Sequence, residues 1–215
     1  MHESLERQAS FDPGTRGVLA VIAGLTGVGK SEVLRRLCNG HPEMKRVVSV
    51  TTRLPRAGEE PFVDYEFLTK RDFKIQGSES EFLETVTLGD YQYGTRTRDL
   101  LPTITHPIRL WILDPSSAYR AKDILASNLS GEVARMIIPR TMTILLESNL
   151  GDLRQRCIKD REDRLNDFEE RIKRELEMVA GTRELYDHVV FNEQGKLPQT
   201  LKKVAYLIGQ KDSQG

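Results

Sequence analysis

Gly24-Leu25-Thr26-Gly27-Val28-Gly29-Lys30-Ser31 constrains this chain more than any other stretch. Ahead of it, Gly17 to Ala23 is apolar without alternation, which predicts a strand buried on both faces. Behind it, Val33, Leu34, Leu37 and Cys38 recur at helical spacing. Strand, glycine-rich turn, Lys-Ser and helix together make the context of a G-x-x-x-x-G-K-[ST] phosphate-binding loop. Gly24, Gly27 and Gly29 let the backbone turn tightly and approach an anion closely. The amide N–H groups of the loop, Leu25, Thr26 and Val28 included, and the positive end of the helix face that anion. Lys30 adds a mobile charge for β- and γ-phosphates, and the Ser31 hydroxyl is placed to reach Mg2+.

A chain of 215 residues predicts one α/β domain with room for inserted subdomains. Lys+Arg and Asp+Glu are both 32, so no global charge bias argues for nucleic acid or an anionic membrane as a partner. An anion site must therefore come from locally concentrated arginines. No apolar run is long enough to span a bilayer. Residues 1–16 read as a flexible polar lead-in without a signal-peptide core, so a cytoplasmic location is expected. Cys38 and Cys157 are far apart and form neither a disulfide framework nor a metal-ligand spacing. A monomer or a homodimer is expected.

After the first helix, Asn39-Gly40-His41-Pro42 is a stop signal. Val47 to Val50 predicts a short strand. Val63, Tyr65 and Phe67 alternate, as in an antiparallel strand; Lys70 to Gly77 predicts a helix and Phe82 to Leu88 a strand. Tyr91 to Thr95 reads as a loop or edge, and Asp99 to Leu101 as helical. Residues 49–100 thus read as a small, mostly β insertion. Ile108 to Asp114 and Thr141 to Glu147 predict core strands, with a helix over Ser116 to Leu129 between them; 130–140 carries no clear signal. Asn149 caps a helix running to Ile158, Asp167 to Arg183 is helical, Val189 to Phe191 is a strand and Leu197 to Ile208 a closing helix. Strands alternating with helices predict a three-layer parallel-sheet core with helices on both faces.

Ser49-Val50-Thr51-Thr52-Arg53-Leu54-Pro55-Arg56-Ala57-Gly58-Glu59 resembles the guanylate kinase signature S-H-T-T-R-x-P-R-x-G-E, with Val50 in place of His. Asp64-Tyr65-Glu66-Phe67, Phe82-Leu83-Glu84, Tyr93-Gly94-Thr95 and Tyr186 to Asn192 are similar to four further motifs of that family at matching spacing. The resemblance covers roughly residues 17–208. It implies a P-loop core over 17–48 and 101–215, a GMP-binding insertion over 49–100 and a lid at about 156–171. It also implies ATP, GMP or dGMP and Mg2+ as partners. By resemblance, Ser49, Arg53, Arg56, Tyr65 and Tyr93 hold the acceptor phosphate. Arginine suits this role because its planar fork binds phosphate oxygens bidentately. Glu84 resembles the residue that accepts guanine N1–H and N2–H, and Thr95 the hydroxyl that serves O6. Adenine lacks that donor pair.

The run Lys159 to Arg164 resembles the lid. Arg156 fits its leading arginine and Arg171 the arginine of the following helix. Between them the match falls on Asp160 or, with one deletion, Arg161; a carboxylate cannot stabilise phosphate charge, which favours Arg161. Asn192 closes the ATP side. After the strand at 108–114, the family's D-x-D-x-Q-G becomes Asp114-Pro115-Ser116-Ser117-Ala118. Asp114 remains a candidate for holding Mg2+, while Ser116 replaces the second acid, and 118–141 is longer than usual. These departures leave open a related kinase acting on another small acceptor such as a sugar phosphate. A guanylate-kinase-like module that binds protein partners is the other alternative. The resemblance implies transfer of the ATP γ-phosphoryl group to GMP or dGMP, with Lys30, Arg56, Arg161 and Arg171 as the catalytic charges.

Overall fold

The computed structural model describes residues 17–78, 81–101, 108–161 and 165–214; the expected lead-in over 1–16 lies outside them. Strand β1 (Val18–Gly24) is buried at every position. It pairs in parallel with β7 (Ile108–Ile112) on one side and β8 (Thr141–Glu147) on the other. Strand β2 (Met44–Arg46) extends the sheet beyond β7, and β9 (His188–Phe191) extends it beyond β8. The resulting order is β2-β7-β1-β8-β9, parallel throughout. A continuous apolar run such as Val18–Ala23 fits only a central strand covered on both faces, because alternation would leave half of it in water. Helix α1 (Lys30–Gly40) buries Val33, Leu34 and Leu37.

A second sheet lies between residues 50 and 96. It runs β4-β3-β6-β5, from β3 (Val50–Thr51), β4 (Glu66–Phe67), β5 (Phe82–Leu88) and β6 (Tyr91–Arg96). Helix α2 (Lys70–Ser78) precedes β5, and the short α3 (Thr97–Leu100) follows β6. A bulge between Phe82 and Glu84 shifts the β5–β6 register, and Glu84 then faces Thr95 directly. Residues opposite each other share one face of a sheet, so the bulge brings carboxylate and hydroxyl together.

Four local expectations are corrected. The strand expected over Val47–Val50 is split: β2 ends at Arg46, Val47 bonds across to Leu110, and β3 begins only at Val50. This β-branched run is the crossover between the sheets. The antiparallel strand expected over 63–67 is two residues long and parallel to β3. A turn closed by Asp64 N–H to Glu60 and Phe62 N–H to Tyr65, with Phe62 at φ 63°, takes up the residues before it. Tyr91–Thr95, read as loop or edge, is a strand inside the second sheet. The helix expected over 116–129 is broken into α4 (Pro115–Ala118) and α5 (Ala121–Asn128), because Arg120 leaves helical geometry at φ −100°, ψ 14°.

The stretch 130–140 forms α6 (Gly131–Ile137), capped by the Ser130 hydroxyl, and a 3-10 turn. Helix α7 (Leu150–Arg161) starts on Asn149, whose Oδ1 accepts the Asp152 N–H at 2.8 Å. Helix α8 (Leu165–Thr182) and α9 (Leu197–Gln214) complete the described chain. No described helix is long and apolar enough to cross a membrane.

Candidate active site

The phosphate loop leaves the C-terminal end of β1, where open α/β sheets place their ligands. A Cβ on Gly24 would lie 2.4 Å from the Leu146 carbonyl oxygen, so glycine is what lets β1 lie against β8 there. Gly29 takes φ 94° as the N-cap of α1, with no side-chain cap. The first amides of α1 are left for an anion or water. Ser31 stands exposed in this first turn. Behind the loop, Asn192 Nδ2 donates to the Val28 carbonyl at 2.8 Å, and its Oδ1 accepts from Thr200. Arg156 reaches the same carbonyl at 3.2 Å and the Asn192 carbonyl at 2.9 Å. Both side chains brace the loop through its carbonyls.

Lys30 Nζ donates to the carbonyls of Gly24 at 2.6 Å and Leu25 at 3.1 Å. Burial holds the ammonium below its ordinary pKa; the charges of Glu175 and Asp114 oppose this, and those of Arg171 and Arg56 add to it. Glu175 was not singled out in the sequence. Its Oε2 accepts the Thr26 N–H at 2.6 Å and its Oε1 the Thr26 hydroxyl at 2.8 Å. Arg171, one helical turn before it, donates to Oε1 at 2.7 Å. Burial pushes Glu175 up, but Arg171, Lys30 and the Thr26 amide outweigh it and hold the carboxyl below its usual range. The i,i+4 Arg–Glu pair on α8 was the available signal, though only the fold reveals that it meets the loop.

The residues expected to hold the acceptor lie on or beside the second sheet. Ser49 and Thr95 are buried, with their hydroxyl oxygens 2.9 Å apart. Thr95 Oγ1 lies 3.0 Å from Glu84 Oε1. Burial, with a push from the Asp114 charge, raises the Glu84 pKa to about 7, and its Oε2 is buried without a hydrogen-bond partner. Arg53 is buried, bonded bidentately to Glu59 at 2.6 Å through both terminal nitrogens, and lies over the Tyr65 ring. Tyr65 meets Tyr93 edge-on at 6.1 Å between centroids, and burial raises the Tyr65 phenol. Arg56 is exposed, and its backbone N–H donates to Glu59.

Asp114 stands between the two halves. Leu113 bonds to Ile22 of β1, which sets the end of β7 beside the loop. Asp114 caps α4 by accepting the Ser116 N–H at 2.9 Å. Its charge is felt at both Lys30 and Glu84. Among the described residues no three His, Cys, Asp or Glu side chains cluster as a metal site. Ser31 and Asp114 nevertheless suit Mg2+ held mainly by phosphate oxygens and water, which needs only one or two protein oxygens. The structure thus gathers Ser49, Thr95 and Glu84 in one cluster and Arg53, Tyr65 and Tyr93 in another. Arg171 joins the loop through Glu175. Arg161 ends α7, and its side chain lies outside the described residues.

The chain is similar to known proteins. The family model described as guanylate kinase matches residues 16–211. A guanylate kinase from Synechococcus sp. (strain JA-3-3Ab) is 29% identical over 208 residues, covering 94% of this chain and 87% of that protein. One from Coxiella burnetii is 28% identical over 191 residues, covering 88% and 85%. The crystal structure of guanylate kinase from Anaplasma phagocytophilum shares the fold, with a TM-score of 0.65 at 20% identity over 92% of this chain and 87% of that one. With a family match running from before β1 into α9, the chain belongs to the guanylate kinase family.

Proposed function

We infer that this chain transfers the γ-phosphoryl group of ATP to GMP or dGMP, giving ADP and GDP or dGDP, and works in the cytoplasm. The observation that carries the reading is the Glu84–Thr95 pair: a half-buried glutamate whose Oε2 is buried without a partner, beside a buried hydroxyl, in a chain with an intact phosphate loop. Guanine offers adjacent N1–H and N2–H donors and an O6 acceptor, which such a pair complements. A sugar phosphate would leave the carboxylate without those donors. A module that only binds proteins has no use for Lys30 and the positive-φ glycines of the loop.

The reading assigns each part a role. Residues 17–48 and 101–215 form the ATP-binding core, with 156–171 as its lid, and 49–100 binds the acceptor. Arg53, Arg56, Ser49, Tyr65 and Tyr93 hold the GMP phosphate. Phosphoryl transfer needs little covalent help from protein; it needs in-line positioning and charge neutralisation. Lys30 leaves the Gly24 and Leu25 carbonyls for the β- and γ-phosphates, and Arg171 turns from Glu175 towards the transferred group, joined by Arg56 and Arg161. Ser31, and Asp114 through water, would hold Mg2+, which would supply charge neutralisation for the transferred phosphoryl group. Closure of the lid keeps water from competing as acceptor.

The test is a coupled ADP-release assay across GMP, dGMP, AMP, UMP, CMP and phosphorylated sugars. GMP and dGMP are expected to support turnover far above the others. Turnover only with a phosphorylated sugar overturns the guanine reading, and no turnover with any acceptor favours the binding module.

A further inference from the structure

The chain's single tryptophan, Trp111, sits on β7 of the core sheet and is fully buried. Its indole Nε1–H donates to Thr95 Oγ1 at 2.9 Å, across the gap to the second sheet. The same oxygen lies 2.9 Å from Ser49 Oγ and 3.0 Å from Glu84 Oε1. A hydroxyl has one proton and two lone pairs, an indole N–H only donates, and an ionised carboxylate only accepts. With Glu84 ionised, these facts leave one arrangement. Trp111 fills one lone pair of Thr95, the Ser49 hydroxyl donates to the other, and the Thr95 proton points to Glu84.

We propose that Trp111 is a specificity-determining positioning residue. Its N–H commits the Thr95 hydroxyl to donating, so the site selects a purine with a hydrogen-bond acceptor at ring position 6. When guanine arrives, Glu84 exchanges the Thr95 proton for the N1–H and N2–H donors, and Thr95 gives its proton to O6. An amino group at position 6 would meet a hydroxyl whose lone pairs are both filled. Without the indole N–H, one lone pair is released and the hydroxyl can turn. The proposal rests on the guanine reading of Glu84 and Thr95, and it adds a residue that touches neither substrate.

The experiment compares wild type with Trp111→Phe, which keeps an aromatic ring and removes the N–H, using GMP and 6-thio-GMP. Sulfur at position 6 is a weak acceptor, while the N1–H and N2–H donors remain. In wild type, kcat/KM is expected to favour GMP. In Trp111→Phe, kcat/KM for GMP is expected to fall about tenfold and that for 6-thio-GMP only about twofold, narrowing their ratio about fivefold, with the KM for ATP unchanged. Equal losses for both nucleotides would mean a packing role and overturn the proposal. The indole N–H of 15N-labelled wild type gives a second readout that needs no variant. Its resonance is expected at different positions when the protein is saturated with GMP and with 6-thio-GMP; identical positions overturn the proposal even if Trp111→Phe does not fold. Failure of wild type to phosphorylate GMP would sink the guanine reading itself. Normal GMP turnover with an unchanged ratio in the variant sinks only the role of Trp111.

Discussion

On the phosphate-loop side, the Lys30 ammonium, the Arg156 guanidinium and the Glu175 carboxylate are satisfied by neighbouring protein atoms. On the acceptor side, Glu84 Oε2 and Arg53 Nε are buried with no hydrogen-bond partner. A buried orphan of this kind costs about 1–3 kcal/mol, and more when charged. The two halves must therefore gain affinity differently. In the proposed reading ATP replaces internal bonds, Lys30 to the loop carbonyls and Arg171 to Glu175. In the same reading GMP brings N–H donors to Glu84 Oε2, which has none. The loop half is bonded by its own protein atoms, while the half around Glu84, although Arg53 is paired with Glu59 and Glu84 Oε1 with Thr95, keeps buried atoms without a partner.

The largest expected effect lies on the loop side. Lys30→Ala removes the cation of the loop, whose ammonium bonds to the Gly24 and Leu25 carbonyls. Turnover is expected to fall about 1000-fold or more, with the melting temperature little changed. Steady-state kinetics and thermal unfolding of the purified variant check both halves of that statement. Near-normal turnover would remove Lys30 from the reaction and erase the contrast between the halves.

Legibility follows the same division. The loop is readable because its parts are contiguous: three glycines, a lysine and a serine between an apolar run and an amphipathic helix. Strands β5 and β8 coincide with their expected ranges for a related reason, since each carries its own pattern. Motif resemblance points to Glu84 and Thr95, but only the bulge and register explain why they face each other. Glu175 and Trp111 escape a sequence reading because their meaning depends on contacts 149 and 16 residues away. Helix α6 carries too short an apolar pattern to stand out, and β4 is held by pairing to β3 and by little of its own.

A smaller effect sharpens the acceptor side. Glu84→Gln replaces a carboxylate oxygen with an amide donor, so at least one guanine contact becomes donor against donor. Loss of a charge-assisted bond with a donor left unpaired costs about 2–4 kcal/mol, or roughly 30- to 1000-fold in kcat/KM for GMP. Inosine monophosphate lacks the N2 amino group, so the preference for GMP over it is expected to shrink, while the KM for ATP stays put. A ratio unchanged by the substitution would mean that Glu84 does not read the base.

The smallest effect is a pH limb that only the acceptor half can produce. Burial, and next the Asp114 charge, raise Glu84 from its ordinary 4.5 to about 7 in the ligand-free protein. A raised carboxyl makes the folded state hold a proton that the unfolded chain has lost. Its contribution to stability is therefore present below 4.5 and fades as pH rises through 7. Binding has the opposite sign, since guanine N1–H and N2–H need the ionised carboxylate. From pH 8 down to pH 6, kcat/KM for GMP is expected to drop about tenfold, with uptake of GMP near pH 6.5 releasing a proton that calorimetry in two buffers of different ionisation heat detects. In Glu84→Gln the limb is expected to vanish while any pH dependence of the ATP side persists. A limb that survives the substitution belongs to another group, and the under-satisfied carboxylate would then not be what sets the acceptor half apart.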